Sequence, residues 1–163
     1  MEKKKQGSET AMFGAGCFWD VQAEFDKLSG LIKTEAGYSG GHPENPSYHE
    51  VCTDGTGHAE VVRIEYNPKK IKYEDLLKKF WEIHDPTQKN RQGPDIGSQY
   101  RSVIFYFDDQ QKKIAQESMK EEQKRIGKKI ETEIVKAGHF YKAEEYHQRY
   151  LMKRGLASCP VHL

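Results

Sequence analysis

The feature that most constrains the fold is the stretch GAGCFWDVQAEF, residues 14–25, because the period of the hydrophobic pattern changes there. The apolar run at residues 11–13 is closed by glycines, which predicts a strand that ends in a turn. From residue 18 to residue 28, apolar side chains recur at spacings of three and four, which predicts a helix. Cys17 therefore lies where a strand passes into a helix. Unpaired backbone N–H groups and the helix dipole favour an anion at that position, so we expect a nucleophilic thiolate.

Length and composition predict one domain that spans residues 1–163. The chain is long enough to bury a hydrophobic core, and 31% of its residues are charged. We expect a flexible tail at residues 1–8 and a mobile tail at residues 155–163, which carries Cys159. The net charge of +1 gives no basic field for nucleic acid, and no apolar run approaches the roughly 20 residues of a membrane span. A monomer is the default expectation.

The cysteines and the first residues indicate the compartment. Cys17, Cys52 and Cys159 are an odd number and lack the regular spacing of a secreted disulfide framework. The N-terminal segment MEKKKQGSE has no apolar core behind its lysines, so it does not resemble a signal peptide. Both observations favour a reducing, cytoplasmic setting, where a disulfide would be transient and catalytic.

The rest of the chain alternates between strand-like and helix-like segments around two long loops. Strands are predicted at residues 10–13, 31–36, 58–66, 100–107 and 130–135. Helices are predicted at residues 17–28, 73–83, 109–126 (after an Asp108 cap) and 144–153. The loops are residues 37–57 and 84–99, and loops of this length are usually functional or disordered. This order favours an α+β, two-layer, ferredoxin-like fold of the split βαβ type with a mixed sheet; a doubly wound parallel sheet is the alternative.

Three polar side chains are candidates for chemistry beside the thiol. Glu60 lies on a strand edge, where a solvated carboxylate is the ordinary interpretation. Burial in an aromatic pocket would instead raise its pKa and let it serve as a general acid. Tyr48 and Tyr100 could each donate a hydrogen bond to a developing negative charge on oxygen, or they could simply pack.

A cluster of histidines and one cysteine invites a zinc interpretation. The cluster is His42, His49, Cys52 and His58. Its spacing matches no standard zinc site, so we do not expect a metal. Cys52 is instead predicted to be a small buried hydrophobe, although a partnership with Cys17 stays open. Cys159, near the C-terminus, is either an exposed spare thiol or a thiol that reaches a distant sulfur.

Three long segments, in register, carry a resemblance to a known family. They are GCFW after the first strand, GYSGGHPENPSYHEVCTDGTGHAE across the first loop, and FWEIHDPTQKNRQGPDIGSQYRS across the second. In this order and spacing, they closely resemble the peptide methionine sulfoxide reductase A family over roughly residues 10–150. The resemblance implies an oxidoreductase that repairs oxidative damage by reducing methionine S-sulfoxide, free or peptide-bound, to methionine, with no metal or organic cofactor.

The resemblance also implies roles for single residues. Cys17 would attack the sulfoxide sulfur, and Glu60 would protonate the oxygen, which is otherwise a poor leaving group. Tyr48 and Tyr100 would hydrogen-bond that oxygen. The attack would release methionine and leave Cys17 as a sulfenic acid.

Substrate binding and the return of the thiol follow from the same resemblance. Phe18 and Trp19 would form an apolar pocket for the terminal methyl group of the substrate, and Asp95 would help to orient the substrate. Cys159 would condense with the sulfenic acid to form a disulfide, with Cys52 as the alternative thiol. Thioredoxin, or another thiol, would then reduce that disulfide as the external reductant.

Two features depart from the family pattern. Asp20 stands where the family commonly has a small residue such as glycine, and its charge would oppose ionisation of the nearby Cys17. Some relatives carry two cysteines in a glycine-rich tail, whereas this chain has Cys159 alone in its ending ASCPVHL. A single relay from Cys17 to Cys159 is therefore the prediction. The competing hypotheses are a non-enzymatic oxidation sensor, which would need no acid at Glu60, and a small zinc-binding interaction domain.

Overall fold

A computed structural model describes residues 7–42, 44–53 and 55–155 of the chain. Cys159 lies outside these residues, as do most of the two predicted tails. No helix within the described ranges is both long enough and apolar enough to cross a bilayer.

Eight strands and five α-helices make up the described fold. The strands are β1 (Glu9–Ala15), β2 (Leu31–Ser39), β3 (Ala59–Tyr66), β4 (Arg91–Gln92), β5 (Asp95–Ile96), β6 (Ser102–Tyr106), β7 (Glu133–Lys136) and β8 (Phe140–Lys142). The helices are α1 (Phe18–Phe25), α2 (Tyr48–Cys52), α3 (Tyr73–Glu82), α4 (Asp109–Ile126) and α5 (Tyr150–Lys153). Six of the strands form one sheet in the order β7-β6-β1-β3-β2-β8, and β4 and β5 form a separate two-stranded ribbon.

The strand order confirms the split βαβ prediction. The unit β1–α1–β2 has β3 between its two strands, and the unit β3–α3–β6 has β1 between its strands. Neighbouring strands are antiparallel except for β6 and β7, which are parallel, so the sheet is mixed. The alternative, a doubly wound parallel sheet, is therefore wrong.

The main hydrophobic core lies between one face of the sheet and helices α1, α3 and α4. The Phe13 ring of β1 stacks on Phe25 of α1 at 5.5 Å between ring centroids and contacts Phe80 of α3 at 5.2 Å. The apolar side chains predicted to face inward from α3 are buried: Leu76, Leu77, Phe80 and Trp81. Full burial of such a side chain contributes roughly 1.5–3 kcal/mol to stability, so these contacts hold α1 and α3 against β1.

The two predicted loops contain more regular structure than the sequence indicates. The first loop was placed at residues 37–57, but β2 continues to Ser39 and α2 forms inside the loop. A capping box starts α2, because the Ser47 side chain accepts from the Glu50 N–H and the Glu50 side chain accepts from the Ser47 N–H. The second loop contains the β4–β5 ribbon and a 3₁₀ turn at Ser98–Tyr100.

The C-terminal part of the described chain also differs from the prediction. Residues 144–153 form a 3₁₀ turn at Glu145–His147 and the short α5 rather than one helix. The Gln148 side chain bonds both the N–H and the C=O of Ala36, each at 2.8 Å, and Arg149 adopts φ +52°. These tertiary bonds outweigh the helical pattern of the segment. The structure also adds β8, which the sequence analysis missed, and the predicted 130–135 strand begins only at Glu133.

Candidate active site

Cys17 lies at the junction of β1 and α1, as predicted. It is the residue that precedes the first turn of α1, and its carbonyl accepts the N–H groups of Asp20 and Val21. Gly16 has φ +100°, and a side chain there would meet the Cγ atom of Gln92 at 2.9 Å, so the turn requires glycine. The Cys17 side chain is half-buried and lines a cleft of about 580 Å³.

Glu60 is buried next to this turn. It lies on β3 opposite Tyr38 of β2, and it is 1% exposed. One carboxyl oxygen, Oε1, accepts the backbone N–H of Phe18 at 3.2 Å, and the other, Oε2, has no hydrogen-bond partner among the described residues. Burial raises the pKa of Glu60 to about 8, the Phe18 N–H opposes that rise, and the charge of Asp95 adds to it. The carboxyl group is therefore mostly protonated at neutral pH.

Tyr48 and Tyr100 approach Glu60 from two other segments. Tyr48 is the first residue of α2, and Tyr100 ends the 3₁₀ turn that follows the ribbon. Burial raises the pKa of both phenols, and the charge of Glu60 is the next cause for each. Cys17 also contributes to the raised pKa of Tyr100, so the thiol, the carboxyl group and this hydroxyl share one site. Both hydroxyls stay protonated and can act as hydrogen-bond donors.

Phe18 and Trp19 are part of an aromatic cluster beside the thiol. The Phe18 ring is fully buried and stacks with Tyr48 at 6.2 Å between centroids. The Trp19 indole lies nearly parallel to the Tyr150 ring at 3.8 Å and stacks with Tyr48 at 6.3 Å. The two residues after Cys17 thus lie among aromatic rings, and their role as the apolar pocket for the methyl group of the substrate stays a prediction.

His147 belongs to the same cluster, and the sequence analysis missed it. Its Nδ1 atom accepts the indole N–H of Trp19 at 2.9 Å, and its ring lies 4.3 Å from the Tyr48 ring. Burial lowers the pKa of His147, with the nearby Glu144 charge acting in the opposite direction, so the ring is neutral and orients the indole. The only sequence signal was a histidine between Tyr146 and Tyr150, inside a segment that reads as an ordinary helix.

Glu144 links two of the other elements at the site. Its carboxylate accepts the hydroxyl of Tyr38 and the backbone N–H of Tyr48, each at 3.2 Å. Burial acts to raise the pKa of Glu144, but the hydrogen bonds outweigh it and hold the pKa below its ordinary value. This ionised carboxylate therefore fixes the start of α2, and with it the position of the Tyr48 ring.

The remaining predicted residues lie at the edges of the site. Asp95 is in the ribbon, and its charge contributes to the raised pKa of both Glu60 and Tyr100. Cys52 ends α2 and is exposed, so the prediction that it is buried is wrong. Loss of hydration raises the pKa of Cys52, although a hydrogen bond with Tyr48 opposes the rise. Cys159, the predicted resolving thiol, lies outside the described residues.

Asp20 and the histidine cluster complete the comparison with the sequence. Asp20 lies in the first turn of α1 and lines the same cleft as Cys17. His58, a member of the predicted zinc cluster, is buried, and its ring nitrogen Nδ1 accepts the N–H of Gly41 at 3.1 Å. Within residues 7–42, 44–53 and 55–155, no three His, Cys, Asp or Glu side chains are grouped so that they could hold a metal ion.

Comparison with known proteins decides the family. The family described as peptide methionine sulfoxide reductase matches residues 9–163 of the chain. The chain belongs to the peptide methionine sulfoxide reductase family. Its activity is the thiol-dependent reduction of methionine S-sulfoxide to methionine, which is the activity of the A class to which its relatives belong.

Individual relatives of this reductase cover nearly the whole chain. The peptide methionine sulfoxide reductase MsrA of Geobacter metallireducens is 56% identical over 153 residues, which are 93% of this chain and 94% of the relative. Among solved structures, reduced Mxr1 from Saccharomyces cerevisiae has a TM-score of 0.91 and 36% identity, and the match covers 99% of this chain and 94% of Mxr1. Mxr1 in complex with Trx2 gives a TM-score of 0.67 at 26% identity, covering 98% of this chain and 91% of that one.

Proposed function

We propose that Cys17 and Glu60 carry out the chemistry of this reductase. The Cys17 thiolate attacks the sulfoxide sulfur while the protonated Glu60 carboxyl gives its proton to the oxygen. The attack forms an S–S bond and a sulfurane-like intermediate whose protonated oxygen is still on the substrate sulfur. As this intermediate collapses, that S–S bond and the S–O bond of the substrate break, methionine leaves, and the oxygen passes to Cys17 as a sulfenic acid. The cysteine sulfur is oxidised by two electrons, and the substrate sulfur is reduced by two.

One observation carries this assignment. Glu60 is a buried carboxyl whose pKa is raised to about 8, and it is hydrogen-bonded to the backbone N–H of Phe18, the residue next to Cys17. A general acid is most effective when its pKa lies near the working pH, and it must lie within reach of the reacting atoms. The Oε2 atom of Glu60, which has no hydrogen-bond partner among the described residues, is the oxygen on which we place the donated proton. A solvated strand carboxylate would have neither property.

We infer that the neighbouring residues bind the substrate. The Tyr48 and Tyr100 hydroxyls donate hydrogen bonds to the sulfoxide oxygen, where negative charge develops. Phe18 and Trp19 accept the terminal methyl group against their rings, and Asp95 orients the rest of the substrate. The raised pKa of both phenols supports their role as donors at physiological pH.

We further propose a relay in which Cys159 resolves the sulfenic acid. The Cys159 thiol condenses with the oxidised Cys17, which forms a disulfide and releases water. A thioredoxin then reduces this disulfide by thiol–disulfide exchange. Mxr1, a relative with a solved structure in complex with Trx2, supports thioredoxin as the partner. We propose that the enzyme acts as a cytoplasmic monomer made of one domain over residues 1–163, with tails at residues 1–8 and 155–163.

The nucleophile is tested by replacing Cys17 with serine. We expect Cys17→Ser to lose reduction of a peptide methionine S-sulfoxide with dithiothreitol as reductant, because the hydroxyl is a far weaker nucleophile toward sulfur. Cys52→Ser, which changes the other described cysteine, serves as the matched control and should keep dithiothreitol-supported activity. Normal turnover by Cys17→Ser would contradict the proposed mechanism.

The relay is tested by a second comparison of reductants. Cys159→Ser should complete one turnover and keep its activity with dithiothreitol, but it should lose cycling with thioredoxin. A variant that cycles normally with thioredoxin would transfer the resolving role to Cys52 or to an external thiol, and the double variant Cys52→Ser/Cys159→Ser separates these two outcomes.

A further inference from the structure

The ribbon that carries Asp95 has little hydrophobic support of its own. It consists of only two residues per strand, Arg91–Gln92 and Asp95–Ile96. Ile96, its one apolar side chain, is 69% exposed, so it does not anchor the ribbon in the core. An isolated two-stranded ribbon is at best marginally stable in water, so contacts outside the ribbon must determine its position.

Gln92 makes two such contacts with one side chain. The Oε1 atom of its amide accepts the backbone N–H of Asp85 at 2.8 Å, and its Nε2 atom donates to the backbone C=O of Asp85 at 2.9 Å. The Cβ and Cγ atoms of the same side chain lie so close to Gly16 that a Cβ atom added at Gly16 would clash with them. Gln92 thereby joins the start of the second loop, at Asp85, to the turn that precedes Cys17.

Asp85 is a firm anchor because it follows His84. The Nδ1–H group of His84 donates to the carbonyl of Phe80 at 2.6 Å, and its Nε2 atom accepts the Ser102 hydroxyl at 2.7 Å. Burial lowers the pKa of His84 to about 4, so the ring stays neutral and keeps this arrangement at neutral pH. Ser102 in turn pairs with Ala15 across β6 and β1, one residue before Gly16. The His84–Ser102 bond therefore ties the segment that carries Asp85 to the strand pair that leads into the Cys17 turn.

We propose that Gln92 is a positioning residue of the reductase: its side chain fastens the ribbon to Asp85 and against Gly16, and so holds Asp95 in register with the Cys17 turn. Gln92 lies directly opposite Asp95 in the β4–β5 pairing, so any movement of Gln92 moves Asp95 as well. This inference rests on the proposed role of Asp95 in orienting the substrate, together with those of Cys17 and Glu60, and adds the side chain that holds this carboxylate in place.

The test removes the amide bonds and keeps the packing volume. Gln92→Met should lower kcat/KM for a methionine-S-sulfoxide peptide, with dithiothreitol as reductant, by about tenfold, and mainly through KM, because the substrate-orienting group loses its fixed position. The matched control is Gln123→Met. Gln123 also bonds two backbone groups through its amide, Ile130 N–H and Lys128 C=O, but on helix α4 away from Cys17. The control should lose comparable stability and keep wild-type kinetics.

A pH profile gives a second readout that a purely structural role would not change. The Asp95 charge adds to the raised pKa of Glu60, so release of the ribbon should move the alkaline fall of kcat/KM to lower pH in Gln92→Met and not in Gln123→Met. Most of the other groups that face Glu60 lie on elements outside the ribbon: the Phe18 N–H of α1, Tyr38 of β2, and Tyr48 and Cys52 of α2. Tyr100 lies in the 3₁₀ turn that follows the ribbon and can move with it.

The outcomes separate this inference from the proposed function. Wild-type KM and an unshifted pH profile in Gln92→Met would overturn the positioning role and leave the Glu60 mechanism intact. If Glu60→Gln were fully active, the proposed mechanism would fail, and a raised KM in Gln92→Met would still report on the ribbon alone. If Gln92→Met does not fold, Gln92→Leu replaces it: this variant also lacks both amide bonds and adds no charge, and a KM no different from the wild-type value would contradict the inference.

Discussion

Two carboxylates lie buried on neighbouring strands of the sheet, and their surroundings drive their pKa values in opposite directions. Glu35 of β2 is 9% exposed, and Glu60 of β3 is 1% exposed. Glu35 bonds Arg63 at 2.9 Å, and two lysine ammonium groups lie 3.6 Å from its carboxylate, those of Lys33 and Lys142. Glu60 has one backbone N–H and, among the described residues, no ion pair with a cation.

The difference shows how far burial raises the pKa of a carboxyl group when no nearby cation offsets it. Burial acts to raise the pKa of Glu35, but the hydrogen bond and charge of Arg63 and the lysine charges outweigh it, so the pKa is lowered. Burial raises the pKa of Glu60 to about 8. The register of β2 and β3 explains the contrast, because it pairs Glu35 with Arg63 and pairs Glu60 with Tyr38. Strand β3 thus supplies Arg63 for an ion pair at one position and a carboxyl group with a raised pKa, Glu60, at another.

The largest effect on activity is expected when the Glu60 carboxyl group is removed. Glu60→Gln should lower kcat for methionine sulfoxide reduction by about 10²–10⁴-fold, because an amide cannot give a proton to the sulfoxide oxygen. Steady-state assays with dithiothreitol check this result. Glu35→Gln is the matched control, since it makes the same chemical change on the adjacent strand, and it should keep wild-type kcat. Similar losses in both variants would contradict the assignment of Glu60 as the acid.

The second prediction uses the pH dependence of the same pair. In the proposed mechanism the protonated form of Glu60 is the active form, so we expect kcat/KM to fall as the pH rises through about 8. The Glu35→Gln enzyme should show the same profile, since Glu35 is ionised throughout this range. Rate measurements from pH 6 to pH 10 with a neutral peptide substrate give the test, and an alkaline limb that moves in Glu35→Gln would refute the distinction.

The third prediction concerns stability. The folded state holds the Glu60 proton between the ordinary pKa near 4.5 and the raised value of about 8, whereas the unfolded state releases it. Stability therefore falls as the pH rises through this window, and Glu60→Gln removes that loss. We expect Glu60→Gln to gain stability relative to the wild type between pH 5 and pH 8, by up to a few kcal/mol. Urea unfolding at several pH values measures the difference, and a constant difference would argue against a buried, protonated carboxyl.

The smallest effect is expected on the Glu35 side. Arg63→Met removes the main cation of Glu35 and keeps the side-chain contact with the Phe140 ring, over which the guanidinium lies at 4.3 Å. We expect a loss of about 1 kcal/mol at pH 7 that shrinks as the pH falls, because the lowered pKa of Glu35 contributes its full stability above the ordinary value near 4.5 and loses it as the pH falls from there through the lowered pKa. Activity should be unchanged. A loss that grows toward low pH would contradict this account.

Much of the fold follows from local patterns, and the contrast between the two carboxylates does not. Alternation and helical spacing predicted β3, α1, α3 and α4, and Asp108 caps α4 as expected, because its side chain accepts the Gln111 N–H at 2.8 Å. The resemblance indicated that Glu60 could be an acid. The local sequence does not predict the contact between Glu35 and Arg63. That contact depends on the register of β2 and β3, which is set by the whole sheet.

The short elements were missed for a similar reason. Helix α2 is held by a side chain from a distant part of the chain, because the Glu144 carboxylate accepts the Tyr48 N–H, and β8 is held by pairing with β2. The ribbon is fixed by side-chain bonds within its own loop, between Gln92 and the backbone of Asp85. The role of His147 depends on Trp19, 128 positions earlier in the chain. Periodicity reports which face of an element is apolar, but it carries no information about which polar side chain will complete a site formed by several segments.

The Gln148 amide has a consequence for the outer edge of β2. Strand β2 pairs with β8 only from Gly37 to Ser39, so its outer edge is uncovered beyond that point. There the Gln148 side chain occupies the N–H and the C=O of Ala36, and Gln22 bonds the C=O of Thr34. An open strand edge is a template for pairing with other chains. These two glutamines therefore occupy backbone groups of β2 that a further strand would otherwise bond, so the segment that orients Trp19 through His147 also covers this part of the β2 edge.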